Sequence, residues 1–361
     1  MKRRAFLGAV GALPILAEGA AAQARSRGAP AVSAPRADEG LRLRADGTFK
    51  ILAISDLHYI PAPDLHGQAL TEKLIDLEQP DLVVVNGDNI SGDRCANLAD
   101  IEASIANVAQ VMEQKRVPWV VVLGNHDQDH FAKTGIPRDQ AFDIYSRYPH
   151  NINKGWVRDI SGAGNKNFLL WDAEGRKPEF NLWLLDSGGP SPDRAIRYEW
   201  VLPDQVAWYW RTSRDLEARF GAKIPGLMFF HIPLPEFREM ILTRKVIGER
   251  HEPESPSAIN GGLFGAALNR GDVMGMFCGH DHVNNYVGRF HGVTLGQVGV
   301  VGYYGYPHTP PEDVTNDRAR GARVFLLDKN KPNAFRTWMR FRDGSVNWEH
   351  WSDAYVEVEQ K

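Results

Sequence analysis

At 361 residues the chain has room for one large or two ordinary domains, and 43% hydrophobic residues with ten tryptophans supply a sizeable core. Forty-two basic against 45 acidic residues leave a formal charge of −3, so no global field draws the protein to nucleic acid or to an anionic membrane. Two cysteines, Cys95 and Cys278, are too few for a disulfide framework and are read as buried free thiols.

The N-terminus runs Lys2-Arg3-Arg4-Ala5-Phe6-Leu7, then an apolar stretch from Ala9 to Ala17, then Ala22-Gln23-Ala24. This is the layout of a bacterial export signal over residues 1–24, and the paired arginines resemble a twin-arginine signal. The apolar stretch is well short of the ~20 residues a membrane span needs, so no stable span is expected. A periplasmic or extracellular protein follows. Residues 25–44 are expected to form a flexible tether, leaving 45–361 as the folded domain.

Phe49–Ser55 is a short apolar run read as a strand. Gly67–Gln79 carries Leu70, Leu74 and Leu77 at helical spacing, with Pro80 as a stop. Leu82–Asn86 is a continuous apolar run of the buried parallel type. In Asn97–Arg116 the apolar residues Ile101, Ile105, Val108 and Met112 make one helical face, and Trp119–Leu123 is a third strand. Downstream, Asn181–Leu185, Gly226–Phe230, Val273–Cys278, Thr294–Gly299 and Val324–Asp328 read as strands, and Pro203–Phe220 as a helix ended by Gly221. Phe335–Phe341 and Val346–Trp351 flank an Asp343-Gly344 turn. No internal repeat appears.

Five short pieces follow predicted strands in order: Asp56-Leu-His58, Gly87-Asp88-Asn89, Gly124-Asn125-His126-Asp127, His231, and Gly279-His280-Asp281-His282. Each alone has a plainer role, as a cap, a turn residue or a surface histidine. Together they supply carboxylate, imidazole and amide oxygen, which suit Fe, Mn or Zn, and none contains cysteine. In open α/β sheets ligands bind at the carboxyl ends of strands, where Asp56, Asp88 and Asn125 fall.

This ordered set resembles the calcineurin-like metallophosphoesterases. Phe49–Leu52, His231–Phe237, Gly261–Phe264 and Cys278–Tyr286 are similar to a branch comprising the purple-acid-phosphatase-like proteins of plants and related fungal phosphatases. The resemblance implies a four-layer αββα sandwich of two mixed β-sheets flanked by helices. It also implies two divalent or trivalent transition metals, with Asp56, His58 and His282 on the first, Asn125, His231 and His280 on the second, and Asp88 bridging. A metal-bridging hydroxide attacking a phosphate monoester is the implied reaction. Diester hydrolysis and a non-catalytic binding protein are the alternatives. His126 resembles the family's catalytic histidine, and Asp127 is expected to orient its ring. The substrate is expected to be a small-molecule or surface phosphoester. Purple acid phosphatases carry a tyrosine ligand where this chain has Ser91, so no ferric–phenolate centre is implied. The segments 128–180 and 236–270 are expected to wall the site, with Trp156, Trp171, Tyr303, Tyr304 and Tyr306 as candidate wall residues.

Overall fold

Apolar runs long enough to be buried on both faces become the central strands of two stacked sheets in the computed structural model, which describes residues 40–305 and 320–354. In chain order these are β1 (Leu41–Arg42), β2 (Thr48–Ile54), α1 (Leu65–Glu78), β3 (Leu82–Asn86), α2 (Leu98–Lys115), β4 (Trp119–Val122), α3 (Phe131–Thr134) and α4 (Arg138–Tyr145). Then come β5 (Lys166–Trp171), β6 (Pro178–Leu184), α5 (Pro203–Phe220), β7 (Gly226–Phe229), α6 (Pro235–Thr243), β8 (Val246–Ile247) and α7 (Leu263–Arg270). The last are β9 (Val273–Cys278), β10 (Val287–Phe290), β11 (Val293–Gln297), β12 (Gly321–Asp328), β13 (Phe335–Phe341) and β14 (Val346–Trp351).

One sheet has the order β14-β13-β12-β2-β3-β4 and the other β1-β5-β6-β7-β9-β11-β10-β8. Successive side chains of a strand face opposite ways, and here both faces are covered. Ile51 and Ala53 of β2 and Val84 of β3 pack between the sheets against Leu182, Leu227 and Phe277. Leu52, Ile54, Val83 and Val85 face the other way, onto Leu74 of α1 and Ile105 and Met112 of α2. On the far side, Trp183, Met228 and Met276 pack against Tyr209 of α5, Phe237 and Met240 of α6, and Leu263 of α7. Helix, sheet, sheet and helix form four layers.

The helices start and stop where local chemistry sets them. The Asp64 side chain accepts the N–H of Gly67 at 2.9 Å to cap α1, and Asn97 does the same for Asp100 in α2 at 3.0 Å. Asp64 moves the start of α1 two residues ahead of the sequence reading. Correcting the reading of a tether to residue 44, Leu41 and Arg42 form β1 beside β5, and Leu43 is buried. A two-residue strand has no periodicity to announce it. The export signal lies outside the described residues. No helix among the described residues is long and apolar enough to cross a membrane.

Phe277 is at the middle of the intersheet core, with ring centroids 4.4 Å from Phe325, 5.8 Å from Phe335 and 6.0 Å from Phe229. Phe277→Ala is expected to cost about 3–5 kcal/mol through lost contacts and the cavity left behind. The shift in urea midpoint at unchanged slope checks this, and a change below about 1 kcal/mol would mean that the sheets close up over the gap.

Candidate metal centre

Five parallel strands of the two sheets, β2, β3, β4, β7 and β9, end at the same edge of the sandwich. The residue runs that follow them turn sharply, because Asp56, His58, Asp88 and His280 take positive φ of 56°, 51°, 48° and 77°. Non-glycine residues adopt this conformation at a cost, and such strain concentrates at functional sites. Two motif glycines have steric reasons. A Cβ on Gly87 would run into the His231 ring, and one on Gly124 would strike Asp88.

These turns bring the predicted side chains together. Asp56, His58, Asp88 and His282 form one buried group and Asp88, His231 and His280 a second, each with its ligand atoms within 4.8 Å of one another. Asp88 belongs to both. Its Oδ2 is 3.1 Å from Nε2 of His231 and 3.7 Å from Nε2 of His58. Nε2 of His282 lies 3.2 Å from Oδ1 of Asp56 and 3.2 Å from Nε2 of His58. Asn125 is buried, its Oδ1 has no hydrogen-bond partner, and its neighbour His126 donates its backbone N–H to Asp88 at 2.7 Å.

Burial holds the His58 and His280 imidazoles down at about 3, so both are neutral with lone pairs to offer. Burial alone would also lower His231, but the charges of Asp88 and Asp56 lift it to about 9. Nδ1 of His231 is 3.0 Å from the Asn86 carbonyl, which points Nε2 at the carboxylates. Burial raises the Asp56 and Asp88 carboxyls, and the surrounding histidines overcome it, so both stay below the usual carboxylate range.

His126 is half-exposed, with Nδ1 2.6 Å from Oδ2 of Asp129. Burial opposes its charge, yet the Asp129 hydrogen bond and Asp88 push it up to about 9. The expectation that Asp127 orients this ring is corrected. Asp127 faces away and accepts backbone N–H groups from Gly124 at 2.7 Å, Asn89 at 3.1 Å and Ile90 at 3.1 Å. It ties the Asp88 turn to the Asn125 turn. His126–Gln128 is a 3-10 turn, in which residues three apart eclipse, so Asp129 shares a face with His126.

Sequence reasoning also missed Arg138 and Asp186. Arg138 donates to Asp186 at 2.6 and 2.8 Å and to the Gly124 carbonyl at 2.9 Å, bracing the turn that carries Asn125. Asp186 follows the end of β6 as the site carboxylates follow their strands, which was the available signal.

The wall differs from expectation as well. The cavity over the cluster, about 770 Å³, is lined by Ser91, Asp93, Arg94, Asp129, Arg197, Tyr198, Glu252, Ser255 and Tyr304 beside the histidines. Trp156 is buried against Phe142, the half-buried Trp171 packs edge-on against Phe220, and Tyr303 lies under the Arg320 guanidinium. Tyr306 is outside the described residues. Segment 128–180 gives the lining only Asp129, and 236–270 gives Glu252 and Ser255. The Ser91 hydroxyl sits 3.4 Å from Nδ1 of His58 and 3.2 Å from its carbonyl. Cys95 and Cys278 are buried free thiols.

The sequence profile of the calcineurin-like phosphoesterases matches residues 49–284. The chain belongs to this family. Among its relatives are two Arabidopsis thaliana proteins named "Probable inactive purple acid phosphatase". Number 14 is 33% identical over 74% of this chain and 73% of its own length, and number 29 is 33% identical over 84% and 85%. A dimetal phosphatase from Danio rerio shares the fold at TM-score 0.55 and 14% identity, over 84% of this chain and 98% of that one.

For a calcineurin-like phosphoesterase, the residues present fit a pair of transition metals. The orphaned Asn125 Oδ1, the neutral imidazoles and the shared Asp88 are the donors such a pair requires.

Proposed function

We propose that the protein is a metal-dependent phosphoesterase that hydrolyses phosphate monoesters. The observation that carries this reading is Asp88, shared by two buried ligand groups, with His126 facing the same cavity. In it, Asp56, His58 and His282 would hold one transition metal, Asn125, His231 and His280 would hold the other, and Asp88, common to both groups, would serve the two. When bound, the metals polarise the phosphate oxygens and lower the pKa of water at the phosphorus. His126, directed into the cavity and steadied by Asp129, protonates the leaving oxygen. Asp127 and Arg138 hold the turn from which His126 and Asn125 project.

The monoester preference rests on charge. At about 770 Å³ the cavity has room for a second ester substituent, so crowding does not exclude diesters. A monoester dianion brings more negative charge to the metals, and its poor leaving group gains more from the His126 proton. Aryl phosphate monoesters are expected to react at least ~10-fold faster than the matching bis-aryl diesters, about 1.4 kcal/mol in the transition state. Parallel kcat/KM measurements check this, and equal or reversed rates favour the phosphodiesterase reading.

The relatives' names favour a second reading, in which the fold is kept and the chemistry lost. Against it stand seven filled ligand positions and His126. Hydrolysis of 4-nitrophenyl phosphate that disappears on chelation and returns with Fe, Mn or Zn supports the enzyme. A metal-loaded protein inert toward every phosphoester in a substrate panel supports the second reading.

We also propose export, on Arg3-Arg4 and Ala22-Gln23-Ala24. In a bacterial host the mature chain is expected to begin near Arg25 and to leave the cytoplasm. Lysine at both arginine positions should retain it inside, and export that survives points to the general secretory route.

A further inference from the structure

The cavity over the cluster holds several charges besides the candidate metal ligands, and nearly all are matched. Asp93 lies 3.5 Å from Arg94, and Asp129 holds His126. Asp281 accepts from Gln297 Nε2 at 2.9 Å and from the Ser255 N–H at 3.1 Å. Glu252 accepts the Val283 N–H at 3.1 Å. Arg197 lines the same cavity, and no carboxylate among the described residues forms an ion pair with it.

The backbone around Arg197 is braced to keep it there. Its φ is 69°, unfavourable for a residue with a Cβ. Its carbonyl accepts the Ser191 N–H at 2.9 Å, Pro190 bridges Tyr198, and the next loop is pinned by Ala258 N–H on the Ile196 carbonyl at 3.2 Å. The Tyr198 ring meets the His280 ring edge-on at 4.6 Å, and the Arg197 guanidinium lies 5.4 Å from the Tyr198 ring centre. A chain of contacts thus runs from a candidate metal ligand to an unmatched cation, and the strain is spent on pointing that cation into the cavity.

We propose that Arg197, supported by Tyr198, is a specificity-determining residue that binds an anionic substituent on the leaving group of the substrate. The substrate class is then a phosphate monoester bearing a second negative group, a carboxylate or another phosphate, several bonds from the scissile phosphorus. A planar guanidinium binds either group through paired N–H donors. The inference rests on the monoesterase reading and extends it.

The test compares 4-carboxyphenyl phosphate with its neutral near-isostere 4-carbamoylphenyl phosphate, using the full metal-loaded chain and 4-nitrophenyl phosphate as reference. Wild-type protein is expected to favour the carboxylate at least fivefold in kcat/KM, through a lower KM. Arg197→Gln is expected to reduce that ratio to near one, and Arg197→Lys to retain part of it. The preference should also fall as ionic strength rises. Turnover of 4-nitrophenyl phosphate with no carboxylate preference in the wild type overturns this inference alone, whether or not the variants fold. A preference that survives Arg197→Gln assigns the recognition elsewhere and overturns it too. No turnover of any of the three substrates overturns the monoesterase reading on which it rests.

Discussion

Asp88→Asn is expected to lose bound metal and to lower phosphoesterase activity by more than about 10²-fold, since changes to the outer partners of metal ligands already cost about 10–100-fold and Asp88 is itself in both ligand groups. The substitution keeps size and shape and removes only charge. Two dications about 4 Å apart repel strongly, and the anion between them is what makes a pair tolerable. Asp88 is the side chain common to both ligand groups, with one oxygen toward His231 and His58 and the other accepting the His126 N–H. An amide there carries no charge and presents a donor to the histidines. Elemental analysis with a steady-state assay reads the result, and circular dichroism checks that the fold survives. Retained metal and activity would mean that another group carries the bridge.

His126→Ala is expected to slow turnover by about 10²-fold or more while leaving metal content intact, the usual magnitude for a lost general acid. The separation follows from position. The backbone N–H of His126 binds Asp88, and the ring projects into the cavity toward Asp129. Removing the ring leaves that backbone contact in place. The loss should be greatest for substrates with poor leaving groups, since those depend most on protonation. Asp129→Asn should cost less, roughly tenfold, because it loosens the ring without removing it. A His126→Ala variant with unchanged rate would assign the proton to another wall residue.

The ligand positions were legible because each obeys a local rule. An apolar run buried on both faces ends in a turn, and the residue after the turn is a carboxylate, amide or histidine. Strands β3 and β9 keep the ends read from sequence because polar or turn residues flank nearly continuous apolar runs, and β13 and β14 keep theirs because the Asp343-Gly344 turn fixes where the hairpin folds back. Resemblance to a known family supplied the pairing of ligands with two metals, which spacing alone does not give.

What was missed depends on geometry finer than periodicity. Asp127 and Asp129 are equivalent candidates on paper, and only the 3-10 turn sends one under the strands and the other to His126. The wall was assigned to five aromatics, of which Tyr304 does line the cavity, yet Trp156 and Trp171 pack on apolar neighbours. The lining comes instead from polar loop residues such as Arg197 and Glu252, whose segments carry no hydrophobic pattern. Strands β1 and β8 are two residues long and exist through pairing with distant partners.

The central claim is that seven side chains from the edge of the sandwich hold two metals that make this protein a phosphoesterase. Metal analysis of the purified chain, before and after chelation and paired with 4-nitrophenyl phosphate turnover, tests it most directly. The account predicts a content approaching two transition-metal ions per chain, with activity lost as they are removed and regained as they return. A metal-free protein that remains fully active would contradict it.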